Sequence, residues 1–234
     1  MYLYNNKHLN NVLISALPGI LSILLSFFSI PFFLNLISAD YYANYLIQHF
    51  ILSLGMVLNL NLGKFASVKI QRLNTVKRRE IIFTTIVVSF ITGTFLSAVT
   101  YFVILYFFDD KNFFNISLSL FIGLLVTILY IGTEHIIKGL GYFKLCSLTN
   151  FLFYSLSLSS PAFFLLIENQ NINLLDNLFN ISLIIKFFSL LFLLSFLILK
   201  KELTLTRIDL DLFREFKTHA KWMTITGFYN QIYD

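Results

Sequence analysis

The sequence predicts an all-α integral membrane protein: a six-transmembrane-helix bundle followed by the start of a seventh helix, with a cytoplasmic N-terminus. Three observations predict it. Of the 234 residues 57% are apolar and only 12% are charged, too few charges to keep so much apolar surface in water. The apolar residues are gathered into long runs, each with roughly the 20 residues that a helix needs to cross about 30 Å of hydrocarbon. Every Lys and Arg except Lys111 and Lys186 falls at the N-terminus or in alternate gaps between those runs.

The runs, in order, are Val12–Ile37, Tyr42–Leu62, Ile81–Phe108, Ile116–Ile137, Leu145–Ile167 and Leu178–Leu199, with a seventh beginning at Met223. The first is longer than the 7–15 apolar residues of a signal peptide, and Ile37-Ser38-Ala39 is a poor cleavage site, so it reads as an uncleaved first span. Lys7 precedes it. The first gap carries only Asp40. The second carries Lys64, Lys69, Arg72, Lys77, Arg78 and Arg79. The third carries Asp109 and Asp110 with one Lys111, and the fourth Lys138 and Lys144. The fifth carries only Glu168 and Asp176, and the sixth Lys200, Lys201, Arg207, Arg214, Lys217 and Lys221. Basic residues next to spans resist translocation, so the N-terminus and the even gaps are expected in the cytoplasm. A missed or invented helix would break this alternation.

The domain reading follows: residues 1–203 form the bundle, and 204–234 form a cytoplasmic amphipathic linker and the start of the seventh helix. The net charge of +5 belongs to loops facing anionic headgroups rather than to a nucleic-acid surface. The single Cys146 excludes an intramolecular disulfide and any multi-cysteine metal site. External gaps as short as Ser38–Tyr41 leave no room for an extracellular domain, and they make sequential helices antiparallel neighbours. Two cytoplasmic segments, Lys64–Arg79 and Arg207–Lys221, mix apolar and basic residues at helical spacing. They read either as helices lying in the headgroup layer or as solvated connectors.

Each span carries a stripe of polar or small residues. The stripes are Ser15, Ser22, Ser26 and Ser29 beside Pro18; Gln48, Gly55, Asn59 and Gly63; Thr85, Ser89, Thr92, Gly93 and Thr100; Gly123, Thr127, Glu134 and Lys138; Asn150, Tyr154, Ser157 and Pro161; and Ser182, Lys186 and Ser189. Lipid offers no hydrogen-bond partner, so each stripe is expected to face other helices or water. One position alone reads as small-residue packing; six stripes together suggest a polar cavity. Lys186 lies well inside the sixth run, either facing that cavity or, if the helix starts near Ile181, snorkelling outward. Glu134 and Lys138 stand i,i+4 and read as an interfacial ion pair or as an ion-coupling site. His49 reads as a packing histidine or a proton site. No metal-ligand spacing, phosphate loop or nucleophile–base pair is present, so neither enzyme, metal nor cofactor is expected.

Three stretches carry a family resemblance: Asn59-Leu-Asn-Leu-Gly63 with basic residues up to Arg72; Lys138-Gly-Leu-Gly-Tyr-Phe-Lys144 leading to Asn150 and Pro161; and Lys221-Trp-Met-Thr-Ile-Thr-Gly, leading to Asp234. They resemble the second-helix exit, the fifth helix with its linker, and the seventh-helix start (where an Asp-Arg pair is typical) of bacterial polysaccharide-lipid flippases. These are the O-antigen class of the multidrug/oligosaccharidyl-lipid/polysaccharide exporter superfamily. The resemblance implies a multi-pass protein of the bacterial cytoplasmic (inner) membrane that flips a polyprenyl-diphosphate-linked oligosaccharide by alternating access. Members have two six-helix bundles, so this chain reads as an N-terminal fragment or truncated frame. A C-terminal bundle, glycan polymerase or ligase machinery, and membrane lipids are the partners implied, and nucleic acid is not. Candidate substrate contacts are Lys186 and Lys138 for anionic groups and Gln48, Asn59, Ser22, Ser26 and Asn150 for hydroxyls. Candidate ion-coupling residues are Asp234, Glu134 and His49. A multidrug or cation antiporter is the first alternative, but the first span has no acidic residue. A glycan polymerase or ligase would carry a large external loop, and a non-transporting scaffold would not need polar stripes.

Overall fold

The computed structural model describes residues 16–18, 20–21, 23–25, 27–35, 39–58, 62–107, 112–161, 175–212 and 214–215. Ser22, Ser26, Asn59, Asp234 and the run from Met223 lie outside them. The described chain is helical, with no strand among the described residues. The helices are α1 (Ala16–Asn35), α2 (Ala39–Leu58), α3 (Leu62–Ile70), α4 (Thr75–Phe107), α5 (Asn112–Gly139), α6 (Phe143–Asn150) and α7 (Leu175–Leu199). A π-helical turn, Phe151–Leu156, continues α6, and helix resumes over 157–161.

Four of these are long and apolar enough to span a membrane: Ala16–Asn35, Thr75–Tyr106, Leu118–Gly139 and Leu178–Leu199. The helix α2 has 20 residues, but Asn44, Gln48 and His49 dilute its apolar character. At 33 residues α4 is about 50 Å long, well beyond the hydrocarbon thickness, so its basic first turns can lie outside it.

The chain divides into two units. One comprises residues 1–50 and 142–189, the other 51–141 and 190–234. In the second unit α3, α4 and α5 pack on one another through small residues. A Cβ on Gly63 would come within 2.9 Å of the backbone of Gly132, and one on Gly139 within 2.8 Å of the backbone of Ser67. Helix axes approach this closely only where no side chain intervenes. Gly132 in turn receives Ser89 of α4, and Gly93 receives Leu125 and Ile128.

The segment Lys64–Arg79, read either as a helix in the headgroup layer or as a solvated connector, comprises most of α3 and the start of α4. A turn over residues 71–74 separates α3 from α4, and the Asn74 carboxamide oxygen accepts from Lys77 N at 3.1 Å to cap α4. The buried face of α3 (Leu62, Gly63, Phe65, Ala66, Ile70) packs in the protein core, and Lys64 and Val68 are exposed. At the second amphipathic segment, residues 204–209 have no regular secondary structure, and a helical turn begins only at Leu210, capped by Asp209, whose Oδ1 accepts from Asp211 N and Leu212 N at 3.0 Å.

This strap is tied back to the same unit. Helix α7 ends with Lys201 in the left-handed region (φ 55°), and Glu202 N and Leu203 N both donate to the Leu197 carbonyl. Glu202 then receives Arg78 in a two-pronged pair, with Nε to Oε2 at 2.9 Å and Nη2 to Oε1 at 2.5 Å. Asp209 N donates to Thr84 Oγ1 at 2.8 Å, Leu212 is buried, and Lys69 pairs with Glu215.

Candidate functional site

The threonine hydroxyls of α4 and α5 are bonded within their own helices, whereas Ser89 Oγ in the α4 stripe is buried without a partner among the described residues. Thr85, Thr92, Thr100, Thr127 and Thr133 each donate to the carbonyl four residues back in their own helix. Such a bond satisfies the hydroxyl locally and leaves a flush surface for packing. Each stripe is expected to face other helices or water, and in this unit Gly63 and Gly93 of the stripes face the neighbouring helix α5. A threonine in a helix can reach its own i−4 carbonyl without a partner from another helix.

The first unit is different, because there polar side chains meet across helices. Tyr45 on α2 is buried and donates its hydroxyl to the Leu158 carbonyl at 2.9 Å. One turn on, His49 Nε2 lies 3.2 Å from Ser182 Oγ of α7. Ser182 also neighbours Tyr45. One turn after Ser182 stands Lys186, only 5% exposed, with its ammonium 4.9 Å from the ring centre of Phe153. Phe153 itself is fully buried and sits on the π-helical turn after α6. Aromatic rings close the rest. Phe179 meets His49 edge-on at 5.7 Å, Tyr45 lies 4.6 Å from His49, and Phe33 of α1 packs on Tyr45 at 5.6 Å. Ser155 Oγ points to the Pro18 carbonyl of α1 at 3.4 Å.

Magnitudes make this cluster stand out. An ammonium within a membrane span costs about 2.5–3.5 kcal/mol on insertion scales. A desolvated cation–π contact returns about 2 kcal/mol. Among the described residues no carboxylate lies within ion-pair distance of Lys186. An aliphatic side chain would pack there at lower cost, so stability does not account for the lysine. The snorkelling alternative required a helix starting near Ile181. Instead α7 begins at Leu175, and the ammonium is turned into protein. A π-turn carrying the aromatic partner fits the recurrence of such turns at functional positions.

Of the other candidates, Gln48 is half-buried beside His49 in sequence, and Asn150 is half-buried at the end of α6. Glu134 and Lys138 form their ion pair in the second unit. Glu134 is buried, whereas the Lys138 side chain is 37% exposed. His135 is close enough to Glu134, Lys138 and Lys64 to feel their charges. Lys138 and Glu134 therefore belong to one unit, and Lys186, His49, Gln48 and Asn150 to the other. Sequence reasoning missed Tyr45 and Phe153. The i−4 spacing of Tyr45 from His49 was a usable signal, whereas Phe153 is one phenylalanine of 28.

Comparison with protein-family models, with curated proteins and with solved structures found no match.

Proposed function

We propose that the chain is the first bundle of a flippase that carries a polyprenyl-diphosphate-linked oligosaccharide from the cytoplasmic to the outer leaflet of a bacterial inner membrane. The reading takes the chain through the membrane six times from a cytoplasmic N-terminus. The observation that carries it is Lys186, a buried ammonium within an apolar helix, beside the His49–Ser182 pair and Tyr45. A diphosphate is the anion for which such a lysine is worth its cost, because each charge offsets the desolvation of the other. Hydroxyl and imidazole groups one turn away suit the first sugar, and Gln48 extends that set. The exposed aromatic and aliphatic surface of α1, such as Phe27 and Ile23, suits contact with lipid tails. Alternating access requires a second bundle, in the same polypeptide or another chain, to rock against this one.

An exporter of cationic drugs is disfavoured by the same residue, since a buried ammonium repels a cationic substrate where an acidic group would attract it. The test is translocation of a fluorescent diphosphate-linked oligosaccharide in proteoliposomes holding the full-length protein. Lys186→Leu is expected to lower the rate at least about tenfold, the loss of one charge-assisted contact, while Lys186→Arg keeps part of it. Unchanged flipping in folded Lys186→Leu protein refutes the reading.

A further inference from the structure

We propose that the strap after α7 is an interfacial lipid-binding segment: its bare apolar side chains enter the acyl chains at the rim of the bilayer, and its cations hold anionic headgroups. Its depth follows from its anchors. Helix α7 is apolar up to Leu199, and Glu202 N and Leu203 N bond back to the Leu197 carbonyl, so the chain turns at the very end of a span. Arg78 then holds Glu202, and Thr84 Oγ1 receives Asp209 N. In α4 the charged residues end at Glu80, and the stretch from Ile81 to Phe107 has none. At 1.5 Å per residue Thr84 stands only about 5 Å along the helix from Ile81. Asp209 and its neighbours therefore lie where headgroups meet hydrocarbon.

Those neighbours are Ile208 and Leu210, and both are exposed. Leu205, between the two anchors, is 92% exposed, while Leu212 turns inward and is buried. Apolar side chains bare at that depth meet acyl chains. Lys200, Lys201 and Arg207 are exposed in the same segment. Its acids are already engaged: Glu202 with Arg78, Asp209 in the cap of the turn that follows, Asp211 at 3.6 Å from Arg214, and Glu215 with Lys69. The charge left to face outward is positive. Leucine and isoleucine interleaved with lysine and arginine match the boundary between acyl chains and anionic headgroups. A protein partner would have to bring an apolar and acidic surface to this depth, whereas the leaflet crossed by α4 and α7 supplies both groups there. The inference needs only that α4 and α7 cross a bilayer and does not rest on the transport reading.

The experiment places a tryptophan reporter on the strap of the full chain in nanodiscs, by Leu205→Trp and separately by Leu210→Trp. The parent chain, with Trp222 alone, supplies the background. Both substituted side chains are exposed, so neither change disturbs packing. The probes are phosphatidylcholine and phosphatidylglycerol, brominated either near the headgroup or at the chain ends. Both reporters are expected to be quenched, at least about twofold more strongly by bromines near the headgroup. Val76→Trp, at an exposed position of α4 about 12 Å before Thr84, is expected to be quenched less than half as strongly. At equal mole fraction brominated phosphatidylglycerol is expected to quench at least about twofold more than brominated phosphatidylcholine, and Lys200→Gln with Arg207→Gln removes that difference. Absence of quenching at both strap positions overturns the proposal: a blue-shifted, unquenched emission assigns the surface to a protein partner, and a solvent-like one assigns it to water. Equal quenching by the two lipids overturns the anionic assignment.

Discussion

Gly63 of α3 and Gly132 of α5 approach so closely that a Cβ on Gly63 would stand 2.9 Å from both the Cα and the carbonyl oxygen of Gly132. Two turns further, Gly139 meets Ser67 in the same way. The repeated contact fixes the α3–α5 crossing, because each glycine lies against backbone atoms that cannot move aside.

Gly63→Ala is therefore expected to destabilise by about 1–3 kcal/mol, the cost of overpacking against backbone. Gly141→Ala, at φ +86° with nothing within 4 Å, carries only the backbone strain of about 1–2 kcal/mol. Thermal melts of the two variants in detergent check this. A Gly63→Ala protein as stable as the parent would contradict the crossing.

The Arg78–Glu202 fork holds the strap to α4 and is mostly shielded from water. Glu202→Gln is expected to cost about 1–2 kcal/mol and to expose residues 203–212 to protease, since a two-pronged charged bond is lost. Arg78→Lys is expected to recover only part, because lysine cannot supply both prongs. Limited proteolysis and melting curves read both effects.

Lys186→Leu is expected to leave the melting temperature unchanged or to raise it, since it removes a buried cation and keeps the volume. Phe153→Leu with Lys186 intact is expected to destabilise by about 2–4 kcal/mol, a lost ring plus a lost cation–π contact. Opposite signs for the two partners of one contact distinguish a lysine kept for a ligand from one kept for packing. A large loss of stability in Lys186→Leu would favour packing.

The loop assignments can be tested with almost no background. Cys146, the one native cysteine, is 1% exposed and is expected to stay unlabelled by a membrane-impermeant maleimide. A cysteine at Gln71, in the exposed turn between α3 and α4, is expected to label only after the membrane is opened from the cytoplasmic side. Labelling from outside in intact cells reverses the orientation.

The sequence by itself determined a helical, membrane-type protein. Helical span length and the cost of charge in lipid act on each segment separately, so the long apolar runs and the basic gaps could be read one at a time. It also singled out Lys186, because a lysine in such a run is costly wherever its partners lie. Which stripes matter was decided only by the tertiary structure. A threonine bonding its own i−4 carbonyl and a serine reaching across to His49 look the same in the chain. The difference lies in which helix is alongside. The partners Phe153 for Lys186, Glu202 for Arg78 and Gly132 for Gly63 are 33, 124 and 69 residues away in sequence. No local periodicity encodes such distances; they follow from how the helices pack.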